Sequence, residues 1–151
     1  VAVDANPVRL SRVTGAEAVL AVAEHLPFQD GVFTSAIYMH GYFQVRSDWE
    51  ALIEINRVLE VGGIFMFDLP LPGRGPLEFG RVFEPRAYLR MLADFGFEPV
   101  EHRAVNGWEY LIAVEKTENF NWRRMQKMQV VIGDDGAIKL NNVDLDDYMV
   151  R

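Results

Sequence analysis

Apolar and polar positions along the chain switch between two periods, and the switching predicts a run of strands and helices. Val1, Ala2 and Val3 form a short apolar strand ending in Asp4. Asn6 suits a helix N-cap and Pro7 the first helical position, so a short helix is expected over residues 8–13, stopping near Thr14-Gly15. Residues 19–23 read as a second buried strand. Residues 26–43 organise the rest. They open with the turn Leu26-Pro27-Phe28-Gln29-Asp30-Gly31, continue as an apolar run over 32–39, and end in the polar-aromatic cluster His40-Gly41-Tyr42-Phe43. This reads as a buried central strand whose carboxyl end delivers side chains into a cleft, the place where open α/β sheets bind ligands.

A period near 3.6 follows. Ser47-Asp48-Trp49-Glu50 is a capping box, in which Ser47 bonds the amide of Glu50 and Glu50 reaches back. Trp49, Leu52, Ile53, Ile55 and Leu59 then make one apolar helical face, and Gly62-Gly63 is expected to stop the helix in a left-handed conformation. Residues 64–69 return to a strand, beside the acid Asp68. Residues 69–81, rich in Pro and Gly, read as a loop or lid. Pro85 starts a helix with the face Tyr88, Leu89, Leu92 and Phe95, closed by Gly96. Two strands, 97–105 and 108–115, flank Asn106-Gly107, a strong hairpin signal. Beyond Lys116 the pattern weakens to a strand over residues 125–132, a Gly133-Asp134-Asp135-Gly136 turn, and an acidic, loosely held end over residues 141–151.

Strand-helix-strand alternation implies a doubly wound, mostly parallel α/β sheet with right-handed crossovers, and the hairpin adds an antiparallel edge. The expected organisation is one α/β domain over residues 1–115 and an extension over 116–151 that packs on it or on a partner. A formal charge of −7 argues against non-specific binding to nucleic acid or to an anionic membrane. The absence of cysteine fits a reducing cytoplasm and excludes thiolate chemistry. No metal is expected: His25, His40 and His102 lack zinc spacing, and the acids of the tail fail the calcium-loop pattern.

Three segments in order carry a resemblance. They are Val3-Asp4-Ala5-Asn6-Pro7, the run from Ala23-Glu24-His25 through Leu26-Pro27-Phe28-Gln29-Asp30-Gly31-Val32-Phe33, and Glu54-Ile55-Asn56-Arg57-Val58-Leu59-Glu60-Val61-Gly62-Gly63. Together they resemble a class I S-adenosylmethionine-dependent methyltransferase, over roughly residues 1–115. The resemblance implies a Rossmann-like sheet of strand order 3-2-1-4-5-7-6 with S-adenosylmethionine at its carboxyl edge. It implies that Asp4 binds the ribose hydroxyls, since an acceptor-only carboxylate suits a vicinal diol. Ala23 and Glu24 would lie beside the adenine, and Tyr38, Met39 and His40 would line the methionine side. His40 and Tyr38 are the catalytic candidates, with His40 as the general base because imidazole titrates near neutrality.

Departures from the family pattern qualify this. The sequence starts at the family's second strand, so the first strand and helix, with the glycine-rich loop, are expected to be missing. That leaves a gap in the middle of the sheet, so either the native chain is longer or another segment or subunit fills the gap. Gly73-Arg74-Gly75 does not replace the loop, as Glu78 stands where a third glycine belongs. Val22 stands where the family commonly has Asp, and Thr34 where Asp usually follows Phe33. The leading expectation is methyl transfer to a small-molecule acceptor. A non-catalytic, methyltransferase-shaped binding module and a nicotinamide-dependent dehydrogenase fragment are the alternatives.

Overall fold

The computed structural model describes residues 1–39, 47–70, 85–105, 109–122, 130–132, 138–140 and 143–144. The order is β1 (Ala2–Asp4), α1 (Pro7–Leu10), β2 (Ala18–Leu20), β3 (Phe33–Tyr38), α2 (Asp48–Val58), β4 (Leu59–Pro70), α3 (Pro85–Asp94), β5 (Phe97–Val105), β6 (Glu109–Lys116), β7 (Val130–Ile132), β8 (Ile138–Leu140) and β9 (Val143–Asp144). β1 and β2 pair in parallel, while β3-β4-β6-β5 form a second sheet, parallel at β3–β4 and antiparallel through β6 and β5. These two sheets reproduce the expected order 3-2 and 4-5-7-6, and no described strand lies between β1 and β3. The expected hairpin closes with Val105 opposite Glu109, around residues 106–108, which lie outside the described set. β7, β8 and β9 pair with one another as a small antiparallel sheet.

The register sorts side chains by face. Phe65 and Phe67 of β4 stand opposite Val114 and Ile112 of β6, all four on one face and all fully buried. Leu52 and Ile55 of α2 and Tyr88, Leu92 and Phe95 around α3 pack into the same core. Its aromatic rings meet closely, with Phe65 stacked on Phe67 at 4.7 Å and Phe67 tilted against Tyr88 at 5.7 Å. β5 lies at the outer edge, where Glu98, Glu101, His102 and Arg103 are exposed; charge of this kind blunts edge pairing.

Three local readings change. β3 is expected to be buried, yet it forms an edge of its described sheet, and Ile37 is 70% exposed. β2 is likewise mostly exposed, with Leu20 at 62%. α2 ends at Val58, earlier than Gly62-Gly63 predicts, because Leu59 turns extended (φ −79°, ψ 141°) to pair with Phe33. Gly62 does take the left-handed conformation, at φ 88°, but inside β4.

Buried polar groups tie the carboxyl end of α2 to the chain after β6. Asn56, 1% exposed, donates from Nδ2 to the carbonyls of Phe95 (2.8 Å) and Glu118 (3.0 Å), and its Oδ1 accepts from the Phe120 amide (2.9 Å). Lys116 Nζ donates at 2.7 Å to the carbonyls of Asn56 and Leu59. A cation at a helix carboxyl end complements its dipole, although burial pulls this ammonium below its usual pKa.

Candidate functional site

The carboxyl ends of β1 and β3 and the amino end of α2 supply the candidate site. Asp4 ends β1. Its Oδ1 accepts from the Asn6 amide at 2.7 Å, Asn6 Oδ1 in turn accepts from the Val8 amide at 2.9 Å, and Arg9 stands 3.7 Å from Asp4 Oδ2. The carboxylate therefore supports the start of α1. It has further acceptor positions, and its side chain is 30% exposed.

Residues 21–25 carry the chain away from β2. The Ala21 amide donates to the Asp4 carbonyl at 3.3 Å, extending the β1–β2 pairing by one step. The His25 amide bonds the Val22 carbonyl at 3.1 Å, closing a tight turn with Ala23 and Glu24 at its tip. Both tip residues are half-buried. Glu24 Oε1 then accepts from the amide of Ser47, the N-cap of α2, at 3.4 Å. The predicted cap forms, with Ser47 Oγ accepting from the Glu50 amide at 3.3 Å, while the Ser47 amide turns to Glu24.

Tyr38 closes β3. Its phenol is pushed up to about 12, first by burial and then by the negative charges of Glu24, Asp4 and Asp48. Three carboxylates from three segments thus act on one hydroxyl. At neutral pH that hydroxyl is protonated and serves as a neutral donor or acceptor. Met39 follows it, 38% exposed.

Of the predicted site residues, Asp4, Glu24 and Tyr38 come together electrostatically, with Ala23 beside Glu24 and Met39 beside Tyr38. His40 lies outside the described residues, as do Tyr42, Phe43 and Arg74. Asp48, 8% exposed at the start of α2, belongs to the group but was legible only as part of the capping box. Among the described residues no cluster of three or more His, Asp or Glu is arranged to hold a metal. Nor is any described helix long and apolar enough to cross a membrane.

The fold and the family signal agree. Residues 1–67 match the family model described as a methyltransferase domain. The chain resembles a SAM-dependent methyltransferase from Aquifex aeolicus, with 12% identity, a TM-score of 0.64, and coverage of 76% of this chain and 66% of that one. A SAM-dependent methyltransferase from Methanosarcina mazei aligns at 15% identity and TM-score 0.57, covering 76% and 80% of the two chains. The cyclase SpnF has the same architecture, at 18% identity and TM-score 0.57, with 66% and 56% covered. No curated protein matches the sequence. The fold is that of class I S-adenosylmethionine-dependent methyltransferases, and the match to the methyltransferase-domain family is confined to residues 1–67. It spans about two thirds of the Aquifex protein, 66% of its length.

Proposed function

We propose that the chain forms one wall of the cofactor cleft of an S-adenosylmethionine-dependent methyltransferase, and that the acceptor is a small molecule. The observation that carries this is the convergence of Asp4, Glu24 and Asp48 on Tyr38. A cationic sulfonium and an ammonium are the charges such a negative cleft suits. In this reading Asp4 takes the ribose hydroxyls through its remaining acceptor positions. Ala23 and the exposed Val22 give the adenine an apolar neighbour, and Tyr38 and Met39 flank the methionine portion. His40 is the group assigned to take a proton from the acceptor.

Bound S-adenosylmethionine supplies an activated methyl group. The chain's part is to orient both molecules and to exclude water, because an in-line displacement gains most from positioning. Tyr38, held protonated, contributes a hydrogen bond rather than a base.

Calorimetric titration of S-adenosylhomocysteine against the full chain and Asp4→Ala tests the assignment. Losing charge-assisted bonds of about 1.5–3 kcal/mol weakens binding about 10- to 150-fold. Equal affinities for both proteins would remove Asp4 from the site. No heat from the unaltered chain would instead favour the second reading, a methyltransferase-shaped binding module. That reading draws on the open edge of β3 and the exposure of Ile37, which a second copy or another chain would cover. A structural relative is informative here: the Haloferax volcanii Trm112 methyltransferase activator was solved in complex with a protein assigned as a methyltransferase (14% identity, TM-score 0.64, covering 77% of this chain and 71% of that one).

A further inference from the structure

Arg57, in the last turn of α2, places all five donors of its guanidinium on protein acceptors. Nε bonds Glu54 Oε1 at 2.7 Å and a terminal nitrogen bonds Glu54 Oε2 at 2.8 Å, a bidentate pair. The remaining three donors reach the carbonyls of Leu26 (2.9 Å) and Phe28 (2.7 Å) and the carboxylate of Asp30 (2.8 Å). Glu54 Oε2 also accepts from the Leu26 amide at 2.8 Å. Five acceptors thus meet one cation, and three of them belong to the loop that begins at Ala23-Glu24.

That loop has no ladder of its own beyond the Val22–His25 bridge. Its backbone polar groups at Leu26 and Phe28 are satisfied by two α2 side chains, in place of secondary structure. Contacts run in order along the helix: Glu24 at Ser47, Leu26 at Glu54 and Arg57, then Phe28 and Asp30 at Arg57. The helix is rigidly seated, with Leu52, Ile55 and Val58 at 5% exposure or less. It therefore acts as a ruler against which the loop is set.

We propose that Arg57, oriented by Glu54, is a positioning residue that fixes the loop over residues 23–30 so that its Ala23-Glu24 end forms the adenine-side wall of the cleft. This rests on the cofactor reading above. Arg57 acts through the loop, whose Ala23-Glu24 tip faces the site. A lysine cannot replace it, because three donors on a single nitrogen do not make the planar fork that grips Glu54 and reaches two carbonyls at once.

The test pairs amide hydrogen exchange with calorimetric titration of S-adenosylhomocysteine, on the full chain and on Arg57→Met, Arg57→Lys, Glu54→Gln and Leu92→Ala. Arg57→Met should speed exchange of the Leu26 amide about 10-fold or more while β4 and β6 keep their protection. Its affinity for S-adenosylhomocysteine should fall about 10-fold, with Arg57→Lys between it and the unaltered chain. Leu92→Ala destabilises the core without touching the loop, and its affinity should stay within about twofold. Unchanged Leu26 exchange in Arg57→Met overturns the clamp. Faster exchange with unchanged affinity overturns the positioning role and leaves the methyltransferase reading standing. If Arg57→Met does not fold, Arg57→Lys and Glu54→Gln decide by the same two criteria. If the unaltered chain takes up no S-adenosylhomocysteine, the cofactor reading and this role fall together, while the exchange data still report whether the clamp exists.

Discussion

Tyr38 and Glu54 carry opposite protonation consequences at the scale of single residues. Burial and three carboxylates raise the Tyr38 phenol to about 12, so the folded chain holds this proton more tightly than the unfolded one. Between the ordinary value near 10 and the folded value near 12, the unfolded state is ionised and the folded state is not. This contribution to stability is therefore complete below about pH 10 and lost as pH rises through about 12. Phenolate absorbance should show a late alkaline ionisation that disappears in Tyr38→Phe; a Tyr38 that ionises near 10 would contradict the negative cleft. Glu54 behaves in the reverse sense. Its hydrogen bonds from Arg57 hold it below the usual carboxylate range, so its contribution is present above that range and fades as pH falls through the folded value. The sequence announced neither effect. Arg57 and Glu54 look like one ordinary i,i+3 pair on a helix, and their loop partners lie 27 to 31 residues away for Arg57 and 28 for Glu54.

Elements were legible wherever their signals were local. The Ser47 cap, the Pro85 helix start and the Asn106-Gly107 hairpin each depend on neighbours within a few residues, and each corresponding element is present. The glycine pair does not set the end of α2, because pairing of Leu59 with Phe33, a tertiary event, overrides it. Gly96, by contrast, was read correctly as the close of α3, and its position is stringent. Its φ is 79°, and a Cβ there would stand 2.5 Å from the Glu118 carbonyl oxygen and 3.2 Å from Asn56 Nδ2. Gly96→Ala should therefore combine backbone strain with displacement of the Asn56 bonds, costing roughly 2–4 kcal/mol. Urea unfolding would show this as a lower midpoint at unchanged slope. A loss under about 0.5 kcal/mol would mean that the turn relaxes freely.

For the molecule as a whole, the strand order was legible and the burial was not. The apolar run over residues 32–39 reads as a buried central strand, but burial depends on what covers its outer edge and its second face. In the described sheet Ile37 faces outward opposite Met66, on the face away from the aromatic core. The site was legible in part for the same reason. Asp4, Glu24 and Tyr38 stand at the ends of elements that the sequence located. Asp48 joins them only because α2 delivers its amino end to the same cleft. Likeness to both methyltransferases and the cyclase SpnF fixes the architecture rather than the chemistry, so the cleft itself has to be probed.

The most direct measurement is a two-dimensional amide spectrum of the full chain titrated with S-adenosylhomocysteine. Shifts should concentrate at Asp4, Ala5, Ala23, Glu24, Tyr38 and Met39, where β1, the loop and β3 converge. At the opposite edge of the sheet Asp30, Glu60, Lys116 and Trp122 line a separate cavity of about 480 Å³. Shifts confined to that cavity, or a spectrum unchanged at saturating ligand, would contradict the assignment of the cofactor to the carboxyl edge.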